Sequence, residues 1–189
     1  MLEWAREVKH CEWNERTIIV AAFKGNLEML KYCFSNGCPC DEKESCIQAA
    51  GKGHLDCVRF LFDKVKPSRD TEEEAAGEAA CNGRVEILKY FVEERKISDA
   101  VKIAFVAAAA KYGQIDCLKY LVEEAKVPID YWQLVAGARY HEQPECVNYL
   151  QEKGCPEPTD KRYGEFLENM KGSRLEALKI MAEALPTED

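Results

Sequence analysis

Apolar residues recur along the chain at helical spacing. After Gly25 they fall at Leu27, Leu30, Cys33 and Phe34, and after Gly83 at Val85, Leu88, Phe91 and Val92. Steps of three, then three or four, place them on one face of a helix. The surrounding phrase returns almost unchanged. It reads Gly25-Asn-Leu-Glu-Met-Leu-Lys-Tyr32, then Gly53-His-Leu-Asp-Cys-Val-Arg-Phe60, Gly83-Arg-Val-Glu-Ile-Leu-Lys-Tyr90 and Gly113-Gln-Ile-Asp-Cys-Leu-Lys-Tyr120. A fifth copy has Glu142 in the glycine slot, and a sixth begins at Ser173. The anchors at 25, 53, 83, 113, 142 and 173 are 28, 30, 30, 29 and 31 residues apart. A near-constant period of this kind predicts a repeat architecture. Its helices begin near residues 26, 54, 84, 114, 143 and 174.

A second, alanine-rich helix precedes each anchor. Ala21-Ala22, Ala49-Ala50, Ala79-Ala80 and Ala109-Ala110 lie four and three residues before the four glycines. Small residues let two helices approach closely, and a glycine with φ > 0 turns the chain between them. Each unit is therefore helix, tight turn, helix, then loop. The loops carry turn chemistry, as in Asn36-Gly37-Cys38-Pro39 and Lys153-Gly154-Cys155-Pro156. Asp41, Asp70, Asp130 and Thr159 are candidate N-caps for the helices that follow. An acid three residues after each anchor meets a base three further on in five of six copies, Asn148 being the exception. This stripe reads either as a docking surface or as a solvated outer face carrying helix-stabilising pairs, and the second is the simpler account.

The Ala-Ala-x-x-Gly-His-Leu-Asp pattern at 49–56, its copies, and the Asn-Gly-Cys-Pro loop at 36–39 resemble an ankyrin array. The resemblance runs from about Trp13 to Ala184 and is similar to the divergent, Cys-Pro-rich arrays of protists, algae and large viruses. It departs from the common pattern in period, which is two to five residues short of the family's 33. The Thr-Pro-Leu-His stretch is replaced by Thr17-Ile-Ile-Val20 or Ser45-Cys-Ile-Gln48. The expected fold is all-α, an ankyrin-like helical-hairpin solenoid of about five to six repeats of 28–31 residues with reduced hairpin fingers. One domain is expected over 1–189, with 1–12 an incomplete N-terminal repeat, 13–158 the repeats and 159–189 an atypical, more polar C-terminal capping repeat.

Composition narrows the function. The chain holds 34 acidic and 26 basic residues, a net charge of -8, which disfavours a phosphate-tracking nucleic-acid binder. No run approaches a membrane span, and the N-terminus lacks the apolar core of a signal peptide. Ten cysteines are present. Cys57, Cys117 and Cys146 occupy the slot held elsewhere by Met29, Ile87 and Ala177, so they behave as small buried hydrophobes. Cys38 and Cys155 share a loop slot, with Cys11 a third member. Reduced structural thiols point to an intracellular compartment, cytoplasmic or nuclear. The sharper alternative joins Cys38-Pro-Cys40 with Cys33 and Cys46 as a metal or redox sensor, but Cys-x-Cys alone is a weak match to a four-ligand site.

No phosphate loop, nucleophile elbow or zinc-protease motif is present, and Glu72-Glu73-Glu74 reads as a favourable helix start. His54 follows a repeat glycine, the ankyrin position for an inter-repeat hydrogen bond; His10 and His141 have nothing that selects them for catalysis. The expected function is a non-catalytic protein-interaction module without cofactor or small-molecule substrate. The alternative is a structural subunit docking through the ends of its stack. The resemblance implies a concave groove lined by the two residues before each anchor. Here those include Phe23, Lys24, Lys52, Lys111, Tyr112, Tyr140 and His141, with Trp13 and Trp132 beside the loops. Lysines with aromatics suit an acidic partner segment bearing apolar anchors, while each Trp has core or loop packing as its plainer role.

Overall fold

A computed structural model describes residues 13–169, and every regular element there is helical. The incomplete first repeat, His10, Cys11 and the helix expected near 174 lie outside the described residues. Eleven helices follow in order: α1 (Glu15–Lys24), α2 (Leu27–Ser35), α3 (Glu42–Lys52), α4 (Leu55–Val65), α5 (Arg69–Cys81), α6 (Val85–Lys89), α7 (Asp99–Lys111), α8 (Ile115–Lys119), α9 (Trp132–Tyr140), α10 (Pro144–Glu152) and α11 (Asp160–Asn169). Odd and even helices alternate as first and second members of hairpins, and the connecting loops hold no strand among the described residues. The chain divides into two compact units, one ending at Ala79 and one beginning at Ala80, so that α5 crosses the division.

In the first unit α1 packs on α3, and each pairs with its own second helix, α2 and α4. In the second, α7 packs on α9, while α8 lies between α6 and α10. The alanine pairs explain the close approach of the first helices: all eight of these residues are buried. The even helices supply the larger core side chains, including Leu30, Leu61, Leu88, Leu118 and Leu150, each fully buried. Burial of a leucine side chain contributes roughly 1.5–3 kcal/mol, so this row supplies much of the folding energy.

The hairpin turns use left-handed backbone. Gly25, Gly53, Gly83 and Gly113 have φ of 69°, 84°, 71° and 70°, and Glu142 keeps φ 56° in the degraded copy. The residue after the turn interlocks neighbouring hairpins. His54 Nε2 donates to the Phe23 carbonyl at 3.1 Å, and Gln114 Nε2 donates to the Cys81 carbonyl at 3.0 Å.

One residue of the difference between the first period and the next three has a local cause. In the first and fifth copies the second helix ends with a left-handed glycine, Gly37 or Gly154, twelve residues after the anchor. In the three between, the left-handed residue comes one position later, at Lys66, Lys96 and Lys126. In two of these copies a π-helical turn absorbs the extra residue. Tyr90–Glu94 continues α6 and Tyr120–Glu124 continues α8, each closed by a bond spanning five residues, Arg95 N–H to the Tyr90 carbonyl and Ala125 N–H to the Tyr120 carbonyl. The chain then delivers equivalent plugs to the core: Cys38, Ile97, Val127 and Cys155 are all buried. A lysine in the left-handed region costs roughly 1–2 kcal/mol, partly offset by the unfolded-state entropy a glycine adds. Lys96→Gly and Lys126→Gly are therefore expected to raise stability by about 0.5–1 kcal/mol each in urea melts. A loss of stability would show that the lysine stems pack on the helix ends.

Capping departs from expectation at two loops. Asp41 caps α3, accepting from Glu44 N–H at 3.0 Å, and Thr159 accepts from Arg162 N–H at 3.4 Å ahead of α11. Asp70 instead lies inside α5, where Ser68 Oγ accepts from Thr71 N–H at 3.3 Å. Asp130 precedes α9 by two residues, and Tyr131 holds the cap position without a side-chain bond. The Glu72–Glu74 triplet is a helix start, as expected. Arg69 reaches Glu72 at 3.5 Å and Glu73 at 3.3 Å, and Lys43 pairs with Glu74 at 2.6 Å.

Candidate functional site

Each site begins at the last turn of a first helix. On α1, Phe23 is 39% exposed two residues before Gly25, and Lys24 follows it. Lys52 holds the equivalent place on α3. Both ammonium groups lie over the Phe23 ring, Lys24 Nζ at 5.4 Å from its centroid and Lys52 Nζ at 4.6 Å. Cation–π attraction of this kind is worth about 0.5–1 kcal/mol when exposed. Val20, one helical turn earlier on the same face, is 51% exposed. The first unit thus presents an apolar spot beside two cations. Trp13 lies apart from it, edge-on to Tyr32 at 5.5 Å.

The second unit differs from expectation at one lysine. Lys111, expected on an open surface, is 3% exposed. Its slot is held by buried Gly51 in the second copy and half-buried Cys81 in the third, so adjacent turns leave little room there. The stem is covered, and the ammonium lies over the Tyr112 ring at 5.4 Å. Tyr112 and His141 are half-buried, and Tyr140 is 40% exposed, edge-on to His141 at 4.9 Å. Trp132 and Tyr140 both pack against Phe166 of α11, at 6.1 and 6.4 Å, and Tyr163 stacks on the same ring. Trp132 therefore has the packing role, and Tyr140 joins a covered cluster while keeping an open edge.

A ladder on the even helices of the second unit is not foreseen from the sequence. Tyr120 hydroxyl donates to Glu93 Oε1 and Tyr149 hydroxyl donates to Glu123 Oε1, each at 3.1 Å. Lys153 adds an ion pair to Glu123 at 2.8 Å. The signal was present: a Tyr closes the repeated phrase, and a Glu pair follows three residues later at 93–94 and 123–124. The outer acid–base pairs also form, Glu28–Lys31 at 3.1 Å and Glu86–Lys89 at 3.7 Å.

The Lys153 ammonium and then the Tyr149 hydroxyl hold the Glu123 carboxyl below its ordinary value. A depressed folded value means that Glu123 adds stability above its unfolded pKa of about 4.3, and that this is lost as pH falls through the lower folded value. Glu123→Gln is expected to flatten the acid limb of the stability–pH curve below about pH 4.5 and leave the curve's shape near neutrality unchanged. An acid limb identical to the parent's would show that the ladder is not formed in solution.

Five of the described thiols are poorly placed for chemistry. Burial pushes Cys46 up to about 12 and Cys33, Cys117, Cys146 and Cys155 up to about 11. Such groups stay protonated near neutrality, whereas thiolate is the nucleophile and metal ligand. Among the described residues no group of three or more His, Cys, Asp or Glu side chains is placed to hold a metal ion. Nor is any described helix long and apolar enough to cross a membrane.

Hairpins stacked first helix on first helix, with left-handed glycine turns interlocked by the next residue, define an all-helical repeat protein. The family model for ankyrin repeats (3 copies) matches residues 18–102, which supports an ankyrin-repeat array. Ankyrin repeats generally serve as protein–protein interaction modules. No curated protein matches the chain significantly.

Proposed function

We propose that the protein is a non-catalytic interaction module that binds a protein segment carrying acidic and apolar side chains at the turn ends of its first helices. One observation carries this reading. The large hydrophobic side chains exposed among the described residues are Val20, Phe23 and Tyr140, and all lie on first helices within five residues of a hairpin turn. Phe23 and Tyr140 hold the same place in their repeats. Exposed aromatics beside cations are favoured anchors for a partner. Seven buried thiols that behave as hydrophobes support a reducing, intracellular setting.

The test is kinetic, on the full chain and a partner recovered by affinity purification from the native cell. Lysine charge steers encounter, so Lys24→Glu combined with Lys52→Glu is expected to slow association, most strongly at low salt. Tyr112→Ala is expected to speed dissociation by roughly 1–2 kcal/mol where Tyr112 is a hot spot. A partner that contacts only Glu28, Lys31, Glu86 and Lys89 on the outer stripe overturns the assignment.

A further inference from the structure

The Phe23 site has a definite spacing, and the spacing limits what fits it. Val20, Phe23 and Lys24 occupy one face of α1 at i, i+3 and i+4. Lys52, from α3, closes on the same ring at 4.6 Å. Among the described residues neither Lys24 nor Lys52 has an ion-pair partner, in a chain where acids outnumber bases 34 to 26. The helix dipole accounts for a lysine in each last turn. It does not account for two ammonium groups converging on one half-open ring, where they repel each other. An anion placed between them relieves that repulsion and leaves the ring edge and Val20 to an apolar side chain.

Four residues of α-helix advance about 6 Å. Two residues of extended chain advance about 6.6 Å and return the side chain to the same face. One residue falls short and points the side chain away, and three overshoot and point it away again. We propose that the first unit reads an extended partner segment in which a large apolar residue and an acidic residue stand two residues apart, at i and i+2. The apolar side chain lies on Val20 and Phe23, and the carboxylate lies between Lys24 and Lys52. This rests on the interaction-module reading and adds the spacing of the groups that the site accepts.

The test uses fluorescein-labelled Gly/Ser-rich nonapeptides carrying one Leu and one Glu at separations of one, two or three residues, in both orders. Binding to the full chain is read by fluorescence anisotropy at low salt. Separation by two is expected to bind at least threefold tighter than the others, and Glu→Gln in that peptide is expected to remove the advantage. Lys52→Gln and Phe23→Ser are expected to abolish the preference, with circular dichroism melts confirming that both variants fold. Lys52→Arg, which keeps the charge, is expected to retain it. Equal binding at all three separations, a preference that survives Lys52→Gln, or no saturable binding overturns the spacing rule. The interaction-module reading falls separately, in the kinetics with the native partner, when that partner ignores the first-helix turns.

Discussion

Leu88→Ala is expected to lower stability by about 2–5 kcal/mol in denaturant melts, and Leu118→Ala by a similar amount. Both side chains are fully buried, Leu88 in α6 and Leu118 in α8, and these two helices pack on one another. Truncation removes the transfer energy of the lost methyl groups and leaves a cavity. The surroundings cannot collapse into it easily. Ile87 and Cys117, beside the two leucines, are themselves buried, and the Tyr120–Glu93 hydrogen bond ties the same helices together. Because each hairpin in a repeat array leans on its neighbours, the loss is expected to spread along the second unit and lower protection in α10 as well as α6. Glu86→Ala, two residues away on the exposed face, is the control and is expected to change stability by less than about 0.5 kcal/mol. A Leu88→Ala cost no larger than that control would show that the core face of α6 is misplaced.

The even helices were legible because their signals are local. The phrase from Gly to Tyr contains its own turn, its own first-turn acid and its own apolar face, and the observed starts at Leu27, Leu55, Val85, Ile115 and Pro144 follow the expected ones by one residue. The interlock at His54 was legible only through the resemblance to ankyrin repeats, because its acceptor, the Phe23 carbonyl, lies in the preceding hairpin. What stayed hidden depends on neighbours in space. The difference between 28 and 30 residues shows that two residues are inserted, but each can enter the helix interior or the loop. The π turns at Tyr90 and Tyr120 show the interior solution, which keeps Ile97 and Val127 in register with Cys38 and Cys155. Lys111 looks identical to Lys52 in a list of turn residues, yet it stands one position earlier in its repeat, where adjacent turns close over it. Trp132 and Tyr140 read as surface candidates until Phe166 arrives from α11, a mostly polar helix with one buried aromatic.

Gly83→Ala is expected to cost about 2–3 kcal/mol, more than its size implies. Two effects add. Gly83 has φ 71°, where an alanine pays roughly 1–2 kcal/mol for its Cβ. That Cβ would also overlap the side-chain oxygen of Gln114. Gln114 cannot move aside freely, because its Nε2 donates to the Cys81 carbonyl at 3.0 Å and fixes one turn against the next. Swinging it away forfeits that bond, a further loss of about 0.5–1.5 kcal/mol. A double-mutant cycle separates the two effects. In a Gln114→Ala background the overlap and the bond are already gone, so Gly83→Ala should cost only the backbone share of about 1–2 kcal/mol. An equal cost in both backgrounds would mean that Gln114 relaxes without penalty and that the glycine is needed for backbone conformation alone. A smaller cost beside Gln114→Ala would identify the residue after each turn as the contact that sets how closely successive hairpins approach in this chain.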